Sequence, residues 1–260
     1  MNHRDFARQR ELLDWLLDHG ADINKPDSRR LDTGFILAEG ESDDSLHLLN
    51  KVAADGDIDL FDHLVGQGAD ASQSLALHAA CRCDDSDRSV AMINYLLDVH
   101  HMSINSNDSD MRTTFSGAHD IGSPLCSAIK HKNLAAVEVL LRRGAEPTFP
   151  YQGPVSYAVR TGGFLPALKP LLLAGLDPTR ALKTAGRVSN VDAVELCLSF
   201  GANPESWLSE AMEQEQSRLQ ASTKALTPTE KDRQEEGQIE PRSKKVVNLL
   251  KSAIASRAGS

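Results

Sequence analysis

The stretch IGSPLCSAIKHKNLAAVEVLLRRGAEPT, residues 121–148, decides how this chain is read. Ser123 followed by Pro124 is a helix start. The Ser hydroxyl can cap a free N–H of the first turn, and Pro suits the first helical position, where an N–H would have no partner. Ala128 is small at a point where a second helix must come close. Val137, Leu140 and Leu141 then form an apolar stripe at the i, i+3, i+4 spacing of a helix buried on one face. Gly144 stands where that helix must end, in the left-handed conformation that other residues resist. The stretch therefore predicts a helix, a turn, a second helix and an exit turn.

One such pair cannot bury its own apolar face, so a stack of them is required. The exit phrase does recur: LLDHGADIN at 16–24, LVGQGADAS at 64–72, LLLAGLDPT at 171–179 and CLSFGANPE at 197–205, with a degenerate copy, LLDVHHMSIN, at 96–105. The entry phrase recurs as HLLNKVAADG at 47–56, SLALHAACR at 74–82, GPVSYAVR at 153–160 and ALKTAGR at 181–187. Ala80, Ala158 and Ala185 match Ala128 in it.

These two phrases resemble the ankyrin repeat, whose pattern is a turn, a short helix opening T-P-L-H-x-A-A, a second helix and an exit G-A-D. The resemblance runs from about residue 4 to 205 of 260. In style it is similar to the divergent stand-alone arrays of filamentous fungi. It implies an all-α solenoid of stacked helix-turn-helix units with short or irregular hairpin loops. Six units are expected: a second helix alone at about 4–19, then 46–68, 75–100, 124–144, 154–175 and 181–201. The period of such arrays is about 33 residues. Here Gly144 to Gly175 is near that figure, Gly20 to Gly68 is longer and Gly175 to Gly201 is shorter. Loop length thus varies while the helix pairs persist. Two long fingers are expected at 24–45 and 105–122, and an insertion, CDDSDRS, at 83–89. Long insertions in repeat proteins often line the binding face, but tolerated surface loops with no role are the first explanation for them. The lone opening helix reads as an unusual cap or as a cut from a longer array.

Beyond 205 the pattern changes. Residues 206–226 read as a helix with Trp207, Leu208, Ala211 and Met212 facing the last unit, and 244–258 as a second helix with Val246, Leu249, Leu250 and Ile254 on one side. A charged stretch lies between them. The expected organisation is an ankyrin array over 1–205 and a helical cap over 206–260.

Composition suits this. Aromatics are only 5 %, so Leu, Ala and Val must fill the core, as in closely stacked helices. The formal net charge of −9 disfavours direct nucleic-acid binding or attachment to an anionic membrane through the whole surface. No run approaches the ~18 apolar residues of a membrane span, and the start MNHRDFARQRELLDW has no signal-peptide character. The four cysteines are too few for a disulfide scaffold, so a reducing compartment, cytoplasm or nucleus, is expected. With no secretory signal the sequon at Asn107 is expected to stay unmodified.

Chemistry is sparse. His78 holds the histidine position of the first helix, where the family uses it for turn hydrogen bonds, while Cys126, Ser156 and Lys183 replace it in other units. That variation argues against a shared catalytic role. Cys81-x-Cys83 with His100-His101 has the wrong spacing for a zinc finger, and Asn105-x-Asn107-x-Ser109 lacks the central Gly and closing Glu of a calcium loop. No phosphate-binding glycine loop and no Gly-x-Ser-x-Gly occur. No catalytic residue, metal or cofactor is expected.

One position is more informative. Directly after the small-residue pair stand Arg82, Lys130, Arg160 and Arg187 in four successive units. Stacking would align them along the inner helices, beside the concave groove that the resemblance implies. Solubility alone could place cations there; as a ladder they would favour an acidic segment of a partner protein. Groove candidates are Arg82, Lys130, His131, Tyr157, Arg160 and Arg187. The expected function is a protein-binding scaffold or adaptor acting as a monomer. Alternatives are a transcriptional coregulator, or the non-catalytic part of a larger ankyrin-containing enzyme.

Overall fold

A computed structural model describes residues 3–24, 48–107, 122–148, 153–225 and 242–258. Most of the two expected fingers, and the charged stretch between the last two helices, lie outside these residues. Among the described residues every regular element is a helix. Two compact units divide at Pro150 and Tyr151. The first contains α1 (His3–Asp18), α2 (Leu48–Asp55), α3 (Ile58–Gly66), α4 (Ala76–Ala80), α5 (Ser86–Asp98), α6 (Pro124–Lys130) and α7 (Leu134–Arg142). The second contains α8 (Gly153–Val159), α9 (Leu168–Leu173), α10 (Pro178–Arg187), α11 (Val191–Ser199), α12 (Glu205–Ala225) and α13 (Arg242–Ala258).

Helices this short are marginal alone, so packing must hold them. Within the first unit the inner helices α2, α4 and α6 pack in order, and the outer helices α5 and α7 pack beside them. The second unit repeats the plan with α8, α10 and α12 inside and α9, α11 and α13 outside. Inner helices contribute Leu49, Leu77, Leu125 and Ile129 to the first core; outer ones contribute Phe61, Leu64, Met92, Leu96 and Leu140, all essentially inaccessible. Each such side chain contributes roughly 1.5–3 kcal/mol on burial.

The ends of the helices follow one scheme. Gly20, Gly68, Gly144, Gly175 and Gly201 all take φ between +86° and +98°. After each, the next residue donates five back into the helix, as Ala69 does to Leu64 O and Ala145 to Leu140 O. This closes the helix with the carbonyls satisfied. The turns from inner to outer helix close in the same way, with Asn133 N donating to Ala128 O and Asn190 N to Ala185 O. The residue before the asparagine is then left-handed, Lys132 at φ 60° and Ser189 at φ 52°.

Those two asparagines join neighbouring pairs. Asn133 Oδ1 accepts from Ala136 N at 3.0 Å and so caps α7. Its Nδ2 donates to Ser89 Oγ at 2.9 Å and to the carbonyls of Cys83 at 3.2 Å and Cys81 at 3.4 Å, all in the preceding pair. In the second unit Asn190 Oδ1 accepts from Ala193 N while Nδ2 donates to Val159 O at 2.8 Å. Ser127 Oγ donates to His78 O at 2.8 Å, and His78 Nε2 to Gly122 O at 2.9 Å. At the loop side, Asn24 Nδ2 donates to Gly68 O, Asn105 Oδ1 accepts from Glu146 N and Thr179 Oγ1 accepts from Asn203 N.

Three expectations are adjusted. The insertion at 83–89 is shorter than read: Asp85 caps α5 by accepting from Asp87 N and Arg88 N, so Ser86–Ser89 is already helix. The inner helix expected from 181, α10, starts earlier, because Asp177 caps it and Pro178 takes its first position. In α12 Trp207 and Ala211 are buried, whereas Met212 is 46 % exposed; in α13 the buried residues are Val246, Val247 and Leu250. Trp207 lies on Gly186, where an added Cβ would meet the ring at 2.1 Å. That contact seats α12 on α10.

Outer helices are also linked by a polar cluster. Tyr95 of α5 donates its hydroxyl proton to Asp62 of α3 at 2.9 Å and accepts from His100 Nε2 at 3.2 Å. Phe61 meets both rings edge-on. Burial, then the hydrogen bond to Asp62 and its charge, push the Tyr95 phenol up to about 12.

Asn133→Ala should lower stability by about 2–4 kcal/mol in urea unfolding, since it removes a cap and leaves buried carbonyls unpaired. Asn133→Asp keeps the cap but cannot donate; full stability in that variant would show that the inter-pair tie contributes nothing. Gly186→Ala should destabilise by about 1–3 kcal/mol through the Trp207 clash, despite the ~1 kcal/mol helix-propensity gain of Ala. Gly66→Ala, with open space around its Cβ, should stabilise slightly. Tyr95 has a raised folded pKa, so its contribution is present below its ordinary pKa of about 10 and lost as pH rises towards 12. The urea midpoint of wild type should exceed that of Tyr95→Phe at pH 8, and the gap should narrow by pH 11.

Candidate partner-binding surface

The candidate residues follow from the inner helices. These are short and rich in Ala because neighbours press against them, and the cations of the recurrent position stand where each helix ends. In the first unit α4 and α6 run in parallel register: Ser127 bonds to the His78 carbonyl, and Asn133 to those of Cys81 and Cys83. Arg82 and Lys130 thus stand at the same end of adjacent helices, both half-buried. His131 follows, exposed, with Nδ1 donating to Ser127 O at 2.9 Å.

In the second unit Arg160 follows α8 and Arg187 ends α10, both exposed. The Arg160 guanidinium carbon lies 4.4 Å from the centre of the Tyr157 ring. A cation over an aromatic face is held in one orientation and gains about 0.5–1 kcal/mol at an exposed site. Arg187 has a different neighbour: its Nη2 is 3.6 Å from Glu210 of α12, and its carbonyl accepts from Gln214 Nε2 at 3.2 Å. With side chains 67 % and 54 % exposed, that pair contributes little to stability, but it offsets the Arg187 charge locally. Nothing in the entry phrase reveals Glu210, because it lies in a helix that departs from the repeat pattern.

Other chemistry-bearing residues have structural surroundings. Cys81 is fully buried and its thiol is pushed up by burial, its Sγ donating to Leu77 O at 3.2 Å. Burial pushes Cys197 up to about 12. All four cysteines are buried, and none forms a disulfide. His100 belongs to the Tyr95 cluster, and burial, the largest influence on it, lowers its pKa. Among the described residues no three His, Cys, Asp or Glu side chains are grouped as metal ligands would be, and no helix is long and apolar enough to cross a membrane.

Asn133 and Asn190, which order this surface, did not figure among the sequence candidates. The signal was present as an Asn three residues past each cationic helix end, Lys130 and Arg187, directly before an apolar stripe.

The family comparison agrees with the helix pairs. Residues 49–150 match the family model for ankyrin repeats, in three copies. No curated protein matches the chain. Stacked helix pairs and left-handed glycine exits agree with the family match, which makes residues 49–150 an array of ankyrin repeats.

Proposed function

We propose that the chain is a scaffold or adaptor that holds a partner protein against the ends of its inner helices. Ankyrin repeats are generally protein–protein interaction modules, and ankyrin-repeat domains are typically non-catalytic. The observation that carries the reading is the cation at one recurrent position in both units: Arg82 and Lys130 in the first, Arg160 and Arg187 in the second. In a chain of net charge −9 this is a local reversal of sign, suited to an acidic segment of the partner. His131 and Tyr157 flank these cations and complete the contact set. The array over 1–205 acts with the helical cap over 206–260, a division supported by the packing of α12 on α10 and of α13 on α11. Cytoplasm or nucleus suits four cysteines that form no disulfide.

The test is capture of partners from native extract by wild type and by the Arg160→Glu, Arg187→Glu double variant. Loss of a partner, or at least a tenfold fall in its affinity, is expected for the variant, since reversing exposed charges slows encounter and weakens the contact. A partner held equally by both proteins would overturn the role of these residues.

A further inference from the structure

The second unit contains a depression of about 560 Å³. It is bordered by three stretches distant in sequence: the Arg160–Gly163 turn after α8, the turn between α10 and α11, and the first turn of α13. Its charged lining residues are Arg160, Arg242, Lys245 and Asp192. Three cations thus meet one carboxylate, in a chain that is acidic as a whole. We propose that this depression binds an anionic side chain, carboxylate or phosphate, of a partner peptide. The proposal rests on the partner-binding reading above and specifies the chemistry of what is bound.

Three observations support it. First, the rim is held in place before any ligand arrives. Asn190 Nδ2 bonds to Val159 O at 2.8 Å, joining the α8 exit to the start of α11, and Arg160 lies over Tyr157. Little ordering is then left to oppose binding. Second, the turn that carries Arg160 requires glycine. A Cβ on Gly163 would sit 2.5 Å from Tyr157 O and 2.7 Å from the Ala158 and Arg160 carbonyls, and Gly162 has φ +73°. The backbone of this lip is tucked against the end of α8, which fixes where Arg160 emerges.

Third, the cations of α13 oppose the helix that bears them. Arg242, Lys244 and Lys245 occupy its first turn, which holds no acidic residue. A helix N-terminus carries partial positive charge and favours Asp or Glu. Stability of α13 alone would not place three cations there, whereas an anion in the depression would be met by Arg242 and Lys245 together. The sequence Arg242-Ser243-Lys244-Lys245, too short for a convincing localisation run, thereby acquires a use.

The test uses the full chain and three fluorescent peptides in one Gly-Ser frame: one with consecutive Glu residues, one with phosphoserine and one uncharged. Anisotropy should show binding of at least one anionic peptide, weakened by salt, and none of the uncharged one. Which anionic peptide binds distinguishes carboxylate from phosphate. Arg242→Glu with Lys245→Glu should reduce affinity at least tenfold. Because Glu suits the start of a helix, that variant should unfold at the wild-type urea concentration or above it, so lost binding is not lost folding. Lys51→Glu, at an exposed position of α2 in the first unit, should leave peptide affinity unchanged. Failure of both anionic peptides to bind, or equal affinity in the α13 variant, overturns the proposal. If that happens while partner capture still depends on Arg160 and Arg187, the scaffold reading stands and the depression is not its site. If capture is also independent of them, both fall.

Discussion

A primary amide that accepts with one atom and donates with another holds this stack in register. Asn133 and Asn190 each cap the outer helix they precede and reach back to the carbonyls that end the previous inner helix. Only Asn serves both ends at this length. Ser is too short to span them, and an ionised Asp accepts but cannot donate. Asp57 occupies the equivalent place before α3 and caps it through Leu60 N, the half of the task that a carboxylate can perform. The tie is buried in the first unit, where each unmade bond would carry a full desolvation penalty. Register between pairs is therefore specified by directional bonds, while the apolar core supplies most of the stabilisation.

This division of labour accounts for where charge can appear. The inner helices press small residues together, and Gly186 beneath Trp207 shows how little space remains. The recurrent cations stand at the helix ends, and two of them, Lys130 and Arg187, open the turns that contain the asparagines. For those two, the surface cation and the amide that joins neighbouring pairs are products of one turn geometry. In a protein with a net charge of −9, cations repeated at one structural position carry weight in recognition beyond their number.

Local and global preferences agree over most of the chain and disagree at α13. There the helix dipole and the first-turn cations conflict, although Val246, Val247 and Leu250 seat the helix firmly. Sequences generally satisfy local rules except where a function requires otherwise. Lys132 and Ser189, left-handed without being glycine, are smaller conflicts of the same kind, tolerated because the asparagine that follows each is doubly bonded.

Much of the architecture was legible in the residues themselves. Ser123-Pro124, the Val137, Leu140, Leu141 stripe and the five exit glycines report local physics: capping, one-sided burial and positive φ act within a few residues. Their recurrence implied the stack, and the apolar stripes of the last two helices implied that these pack as well. What could not be read were relations between distant residues. The pairing of Arg187 with Glu210, the fit of Trp207 on Gly186, and the meeting of Arg160 with Arg242 and Lys245 each join segments from different helices. The sequence by itself determined the helix pairs, their order and the sites of the cations, because those depend on neighbours along the chain. Which cations share a depression and which face a carboxylate was decided by tertiary structure alone, because electrostatic partners are set by distance in space.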